Sequence, residues 1–311
     1  MTRILRGCVL AFVFPFGFAA GAICGALAFA PVTPTRVGVR NLRSRLGAGP
    51  LSARVLLARV YFQYACYFTE IVVLWPLGLL ENFGEAELGV FLRGVKERHS
   101  LPGNRGVMCL GAHFGNIEAL GMALKWAYAD AGLKPFYVLA KPSKSALLEG
   151  VFARMRQGRG FLVMSTGGPR FKDELRQTAA SGFGLALLAD QKPRKGGVFV
   201  PFFGTEAAFP EKGVTLGIEQ GMAVVYVTHR RVGLGRFELV FSEGPNEHLL
   251  RNEVDGEAVS ASDVERTLAA YAVWLEDTIR GTPWMWSWDY GKWSRRKDKA
   301  SVEEGSVAQA S

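Results

Sequence analysis

Hydrophobic and polar positions alternate with three different rhythms along this chain. From Gly7 to Thr35 no residue is charged, and residues 8–30 are almost wholly apolar. As a helix those 23 residues would rise about 35 Å at roughly 1.5 Å per residue, which predicts an N-terminal transmembrane helix. A cleaved signal peptide shares the leading Arg3 and Arg6 and the closing Ala-Phe-Ala. Its apolar core is shorter, however, and Pro31 sits badly after a cleavage site, so a retained anchor is the better reading. Residues 61–80 form a second apolar stretch, interrupted by Gln63, Glu70 and Pro76. These interruptions argue against a span and predict an amphipathic helix lying in the interface or packed on the core.

From Gly106 the pattern changes to short apolar runs separated by helical periods. Strands are predicted at 106–112, 136–140, 161–164, 185–189 and 223–228, with helices at 116–131, 145–157, 170–180 and 211–220. This βαβ alternation predicts an α/β fold, a largely parallel mixed sheet flanked by helices. Residues 198–203 and 237–241 read as extra, antiparallel strands. Residues 262–280 read as a closing helix, with Ser262 and Glu265 spaced as a capping box. The resulting organisation is an anchor over 1–35, a basic and amphipathic helical region over 36–105, a catalytic α/β domain over 106–299 and a disordered tail over 300–311.

Charge sharpens this picture. The 311 residues carry 37 basic and 28 acidic side chains, a net charge of +9. Residues 1–69 hold eight arginines, no lysine and no acid; Glu70 is the first carboxylate. A second basic cluster, Lys292, Arg295, Arg296, Lys297 and Lys299, closes the folded part. Such charge attracts anions, and the apolar run ahead of the first cluster favours a phospholipid surface over nucleic acid. Positive flanks on both sides of the apolar run leave its orientation open, although Arg36, Arg40, Arg43 and Arg45 directly after it place the main domain in the cytoplasm. With charged residues at 21%, a multi-span transporter is excluded, as are disorder, collagen and a disulfide scaffold. The four cysteines show no CxxC or Cys/His spacing, so no metal site is expected.

The segment that carries chemistry is Gly111-Ala112-His113-Phe114-Gly115-Asn116-Ile117-Glu118. A strand ends, a histidine follows, and a short turn opens a helix. Sites in α/β sheets gather at the C-terminal ends of strands, where His113 would lie. Glu118, in the first helical turn, could reach back to the imidazole, fix its tautomer and raise its basicity. The pair could then take a proton from a hydroxyl. A buried histidine beside an incidental capping glutamate satisfies the same pattern.

Three blocks in order resemble the bacterial lipid A biosynthesis (late) acyltransferases, within the lysophospholipid acyltransferase superfamily and its HX4D/E motif. They are His113–Glu118, Leu188-Ala189-Asp190-Gln191, and Val198-Phe199-Val200-Pro201-Phe202-Phe203-Gly204. The resemblance runs from Cys8 to about Arg296 and implies a glycerol-phosphate-acyltransferase-like fold. It implies that a fatty acyl chain is moved from acyl carrier protein, or from acyl-CoA, to a hydroxyl of a membrane glycolipid such as a lipid A precursor, without a cofactor. His113 would be the general base and Glu118 its partner, with Asn116, Arg156 and Asp190 in support. Phe202 and Phe203 would line an acyl groove, although core packing accounts for them as well. The chain departs from the family at Lys192, at Ala208-Phe209-Pro210 and at Tyr290, which leaves a different glycolipid or a lysophospholipid open as acceptor. The Trp-rich run 284–293 suits the headgroup layer and equally suits contact with the domain.

Overall fold

The computed structural model describes residues 3–75, 106–130, 136–140, 162–165, 170–180, 184–247 and 261–293, with 77, 90–91, 93–97, 100, 150, 153 and 249 between them. The apolar run folds as α1 (Arg3–Ala26), continues as a 3₁₀ turn over Leu27–Phe29, and turns at Pro31. Pro34 opens the next helix, α2 (Thr33–Leu46), and Gly47, at φ 66°, closes it in the left-handed conformation. α3 (Pro50–Thr69) then runs back along α1 and passes into a π-helical turn, Glu70–Leu74.

The expected transmembrane helix is met only as a bent pair. Among the described residues no single helix is long and apolar enough to cross a membrane; only 15–29 and 33–46 together qualify, and they are bent by 79°. The cause is local. The apolar run ends in the 3₁₀ turn, and the chain turns at Pro31 before Pro34 opens α2. Gly17, Gly21 and Gly25, spaced four apart on one face of α1, lie against Thr69, Phe62 and Ala58 of α3. A Cβ at Gly21 would stand 2.4 Å from the Phe62 ring, so only glycine lets the two helices approach this closely. The opposite face stays uncovered, with Phe16 and Ile23 of α1, Leu27 of the 3₁₀ turn, and Leu51, Val55 and Phe68 of α3 exposed.

The rest of the chain builds a sheet from β1 (Gly106–Gly111), β2 (Phe136–Ala140), β3 (Leu162–Ser165), β4 (Gly184–Leu188), β7 (Met222–Gly233) and β8 (Arg236–Glu243). The spatial order is β3-β2-β4-β1-β7-β8, parallel throughout except for β8, which pairs antiparallel with β7. Between β4 and β7 come a separate antiparallel hairpin, β5 (Val198–Phe202) and β6 (Thr205–Phe209), and a helix. The described helices of this half are α4 (Ile117–Asp130), α5 (Phe171–Ala180), α6 (Lys212–Glu219) and α7 (Ala261–Gly281). α7 begins one residue ahead of the predicted cap, so Ser262 lies inside its first turn. The predicted helix 145–157 and tail 300–311 fall largely or wholly outside the described residues.

Alternation along the strands sorts the core into two layers. Val107, Cys109, Val225 and Val227 face α4, against Ala119, Leu120 and Ala123. Met108, Leu110, Val224 and Tyr226 face α7, against Leu268, Tyr271 and Leu275. Burying each large side chain contributes about 1.5–3 kcal/mol, and a strand covered on both faces must be apolar at nearly every position. β1 is buried along its whole length, so its C-terminal end is held between β4 and β7 as a rigid mount.

Candidate active site

β1 delivers His113 at that end. The Gly111 carbonyl accepts hydrogen bonds from the Ala189 N–H at 2.9 Å and the Tyr271 hydroxyl at 2.6 Å. Two residues on, the chain makes a tight turn. Gly115 stands at φ 65°, and its N–H donates to the Met285 carbonyl at 2.8 Å. A Cβ there would meet Met285 Cε at 2.6 Å and His229 Nε2 at 2.8 Å, so glycine is demanded by both conformation and space. Asn116 then caps α4, its Oδ1 accepting the Ala119 N–H at 3.0 Å.

The imidazole of His113 is 31% exposed, and its Nδ1 lies 2.8 Å from Oδ1 of Asp190, which is fully buried just past β4. The other carboxylate oxygen of Asp190 accepts the Trp286 indole N–H at 3.0 Å, and the Tyr290 hydroxyl donates to the Asp190 carbonyl at 3.0 Å. Burial pulls the His113 pKa down, but the charge of Asp190 and their hydrogen bond outweigh it, and the net shift is upward. Burial would raise the Asp190 carboxyl; the charge and hydrogen bond of His113, the Trp286 bond and nearby Lys292 together hold it below its ordinary value. With Nδ1–H directed at the carboxylate, the lone pair belongs to Nε2 on the partly exposed ring. This arrangement can accept a proton from a hydroxyl and hold the resulting charge.

A second polar cluster supports the turn from below. Glu70, fully buried in the π-helical turn after α3, accepts from Asn116 Nδ2 at 2.9 Å, from the Gly235 N–H at 2.9 Å, and from Arg231 Nε at 2.9 Å and Nη2 at 2.6 Å. Arg231 also donates to Gln63. His229 completes the cluster by accepting the Asn116 N–H on Nε2 at 2.9 Å. Burial, reinforced by the Arg231 charge, drops the His229 pKa to about 3, which keeps that nitrogen available as an acceptor.

Of the residues singled out from the sequence, the structure joins His113 and Asp190. The carboxylate at Nδ1 is that of Asp190 rather than of Glu118, and this corrects the expected partnership. Glu118 is buried at 5% exposure in the first turn of α4, and the shift of His113 owes nothing to it. The reason is directional: a parallel sheet brings the ends of neighbouring strands together, so the residue after β4 meets the residue after β1. Asn116 holds the turn and the helix start. Phe202 and Phe203 are buried in an aromatic cluster with Phe209, Trp286, Trp288 and Trp293, so they are core side chains here. Arg156 lies outside the described residues. Trp286 and Trp288 are fully buried, which resolves the Trp-rich run as contact with the domain at these positions. Lys292 is also buried, donating to the Ala208 carbonyl at 2.8 Å with its ammonium 3.4 Å above the Phe209 ring. Sequence reasoning missed Glu70, His229 and Arg231 as supports, although a lone carboxylate in an apolar stretch was a signal for the first.

The family described as bacterial lipid A biosynthesis acyltransferase matches residues 39–295 of this chain. The chain is also similar to a phosphatidylinositol mannoside acyltransferase of Mycolicibacterium smegmatis, with 31% identity over 191 residues, 60% of this chain and 59% of the relative. The matched stretch thus spans about three-fifths of that relative's length.

Proposed function

Starting from the chain's membership of the bacterial lipid A biosynthesis acyltransferase family, we propose that it is a membrane-associated O-acyltransferase working through a His113–Asp190 dyad. The observation that carries this reading is the 2.8 Å contact between a partly exposed imidazole and a buried carboxylate at the end of β1. Nε2 of His113 takes the proton of an acceptor hydroxyl as its oxygen attacks the carbonyl carbon of an acyl thioester. The C–O bond forms, the C–S bond breaks, and the thiolate leaves with the proton held on the imidazolium. Asp190 stabilises that imidazolium and fixes the ring. Arg156, by resemblance, assists the acceptor phosphate or the developing oxyanion.

The acceptor is a membrane glycolipid. The similarity to a phosphatidylinositol mannoside acyltransferase favours a glycosylated phospholipid beside a lipid A precursor. The donor is acyl carrier protein, whose acidity suits a chain of net charge +9, with acyl-CoA as the other thioester to test. Attachment is from one leaflet, through the uncovered apolar face of α1 and α3.

Labelled acyl-ACP and acyl-CoA, each offered with lipid A precursor, phosphatidylinositol mannoside and lysophospholipid, test the assignment. His113→Ala is expected to lower transfer on the order of a thousandfold with the fold intact. Undiminished transfer by that variant sinks the mechanism. Lack of transfer to any of the three acceptors sinks the substrate class.

A further inference from the structure

α2 carries a feature that the reaction does not use. Arg36, Arg40 and Arg43 recur at i, i+4 and i+7, so they share one helical face. Together with Arg54, Thr35 and Ser44 they line an open cleft of about 610 Å³. All three side chains are exposed, and none makes an ion pair or side-chain hydrogen bond with a described residue. Neighbouring arginines behave differently. Arg45 donates to Thr205 and lies 4.8 Å over the Trp293 ring, and Arg59 lies 3.4 Å over the Trp284 ring. Arg54 is steadied by a bond of 3.3 Å to the Ala28 carbonyl. Four guanidinium groups therefore converge on one cleft, in a segment of 69 residues that contains no acid.

The flanks identify the occupant. Ala30 and Pro31, also in the cleft wall, follow exposed Leu27 and Phe29, and exposed Val32 comes next. On the other side Arg54 sits between exposed Leu51 and Val55. The 79° bend between residues 15–29 and 33–46 turns the chain from an uncovered apolar face to a guanidinium-lined cleft within a few residues. A phospholipid headgroup at a bilayer surface sets phosphate beside hydrocarbon in the same way. Guanidinium groups match phosphate oxygens in geometry and charge.

We infer that the Arg36–Arg40–Arg43–Arg54 cleft binds the phosphate of an anionic glycerophospholipid in the membrane on which the protein sits. The assignment rests on the membrane-facing part of the function proposed above and is read without turnover, so the two fail separately.

The experiment is co-sedimentation of the full chain with vesicles of phosphatidylcholine alone and of phosphatidylcholine mixed with phosphatidylglycerol. Wild type is expected to favour the mixed vesicles. The variant Arg36→Gln/Arg40→Gln/Arg43→Gln should lose on the order of 100-fold in affinity for them, from roughly fivefold per surface arginine, with an unchanged circular dichroism spectrum. A charge-matched control, Arg176→Gln/Arg194→Gln/Lys195→Gln, should lose much less. His113→Ala should bind the vesicles as wild type does, even where transfer is silenced. Equal losses in the two triple variants would reduce the effect to net charge and overturn the site. Displacement of wild type from mixed vesicles by inorganic phosphate or glycerol phosphate would make it a soluble-phosphate site instead. Unchanged vesicle binding with lost binding of an acidic carrier protein would reassign it to a protein partner.

Discussion

A single imidazole–carboxylate contact sets the chemistry, and its electrostatics can be tested directly. Asp190→Asn keeps the size of the side chain and removes its charge. Both influences that raise His113 then disappear, and burial alone pulls it below the ordinary 6.5. His113 must be neutral to accept a proton, so the acid limb of the kcat/KM profile should move to lower pH in this variant. The plateau should fall by at least roughly a hundredfold, because the tautomer is no longer fixed. A limb that stays in place would show that another group titrates there. His113 was legible as a strand-end histidine opening a helix. Its pairing with Asp190, which the resemblance named only as a support, was not, because residue 190 lies 77 positions downstream and no local spacing reports which strands become neighbours. Glu118 was the nearer carboxylate in sequence and the wrong one for Nδ1.

The π-helical turn after α3 does more than join two segments. By holding Asn116, Glu70 links the N-terminal helices to the cap of α4 and so to the turn behind His113. The Glu70–Arg231 pair is shielded, with side-chain exposures of 0% and 5%. Removing one charge leaves the other buried without compensation, which costs about 3–5 kcal/mol. Glu70→Gln should therefore lower the unfolding free energy by about that amount, read by denaturant titration. Glu70→Gln/Arg231→Met should recover most of the loss. If the single variant is neutral, the pair does not anchor the turn. Within these elements the apolar run of α1 was plain in the sequence, but its role was not. The Gly17, Gly21 and Gly25 stripe becomes meaningful only beside Phe62.

For the molecule as a whole, sheet class and strand positions were readable because a doubly covered parallel strand has to be apolar throughout, as β1 and β4 are. Strand order and the closure of the Trp-rich run onto the site were not, since both depend on contacts across most of the chain. Acid tolerance is one global property that follows. His229 stays neutral in the fold down to about pH 3, whereas in the unfolded chain it takes up a proton near its ordinary 6.5. Its folded value is depressed, so protonation favours unfolding, and stability should fall as pH drops through this window by about 1.4 kcal/mol per unit. His229→Gln keeps an acceptor for the Asn116 N–H and should flatten the dependence between neutral and mildly acidic pH. An identical slope in both proteins would mean that other groups dominate.

Residues 283–293 reach both sides of the dyad and α2. Met285 holds Gly115, Trp286 and Tyr290 hold Asp190, and the carbonyls of Trp288 and Tyr290 receive the Asn41 amide of α2 at 2.8 and 3.0 Å. Each of these clasps closes over at least 96 positions of chain. A fold in which this segment sits loosely lacks the piece that locks the base into place. Loosening residues 283–293 should therefore release the turn behind His113, Asp190 and α2 together rather than one at a time.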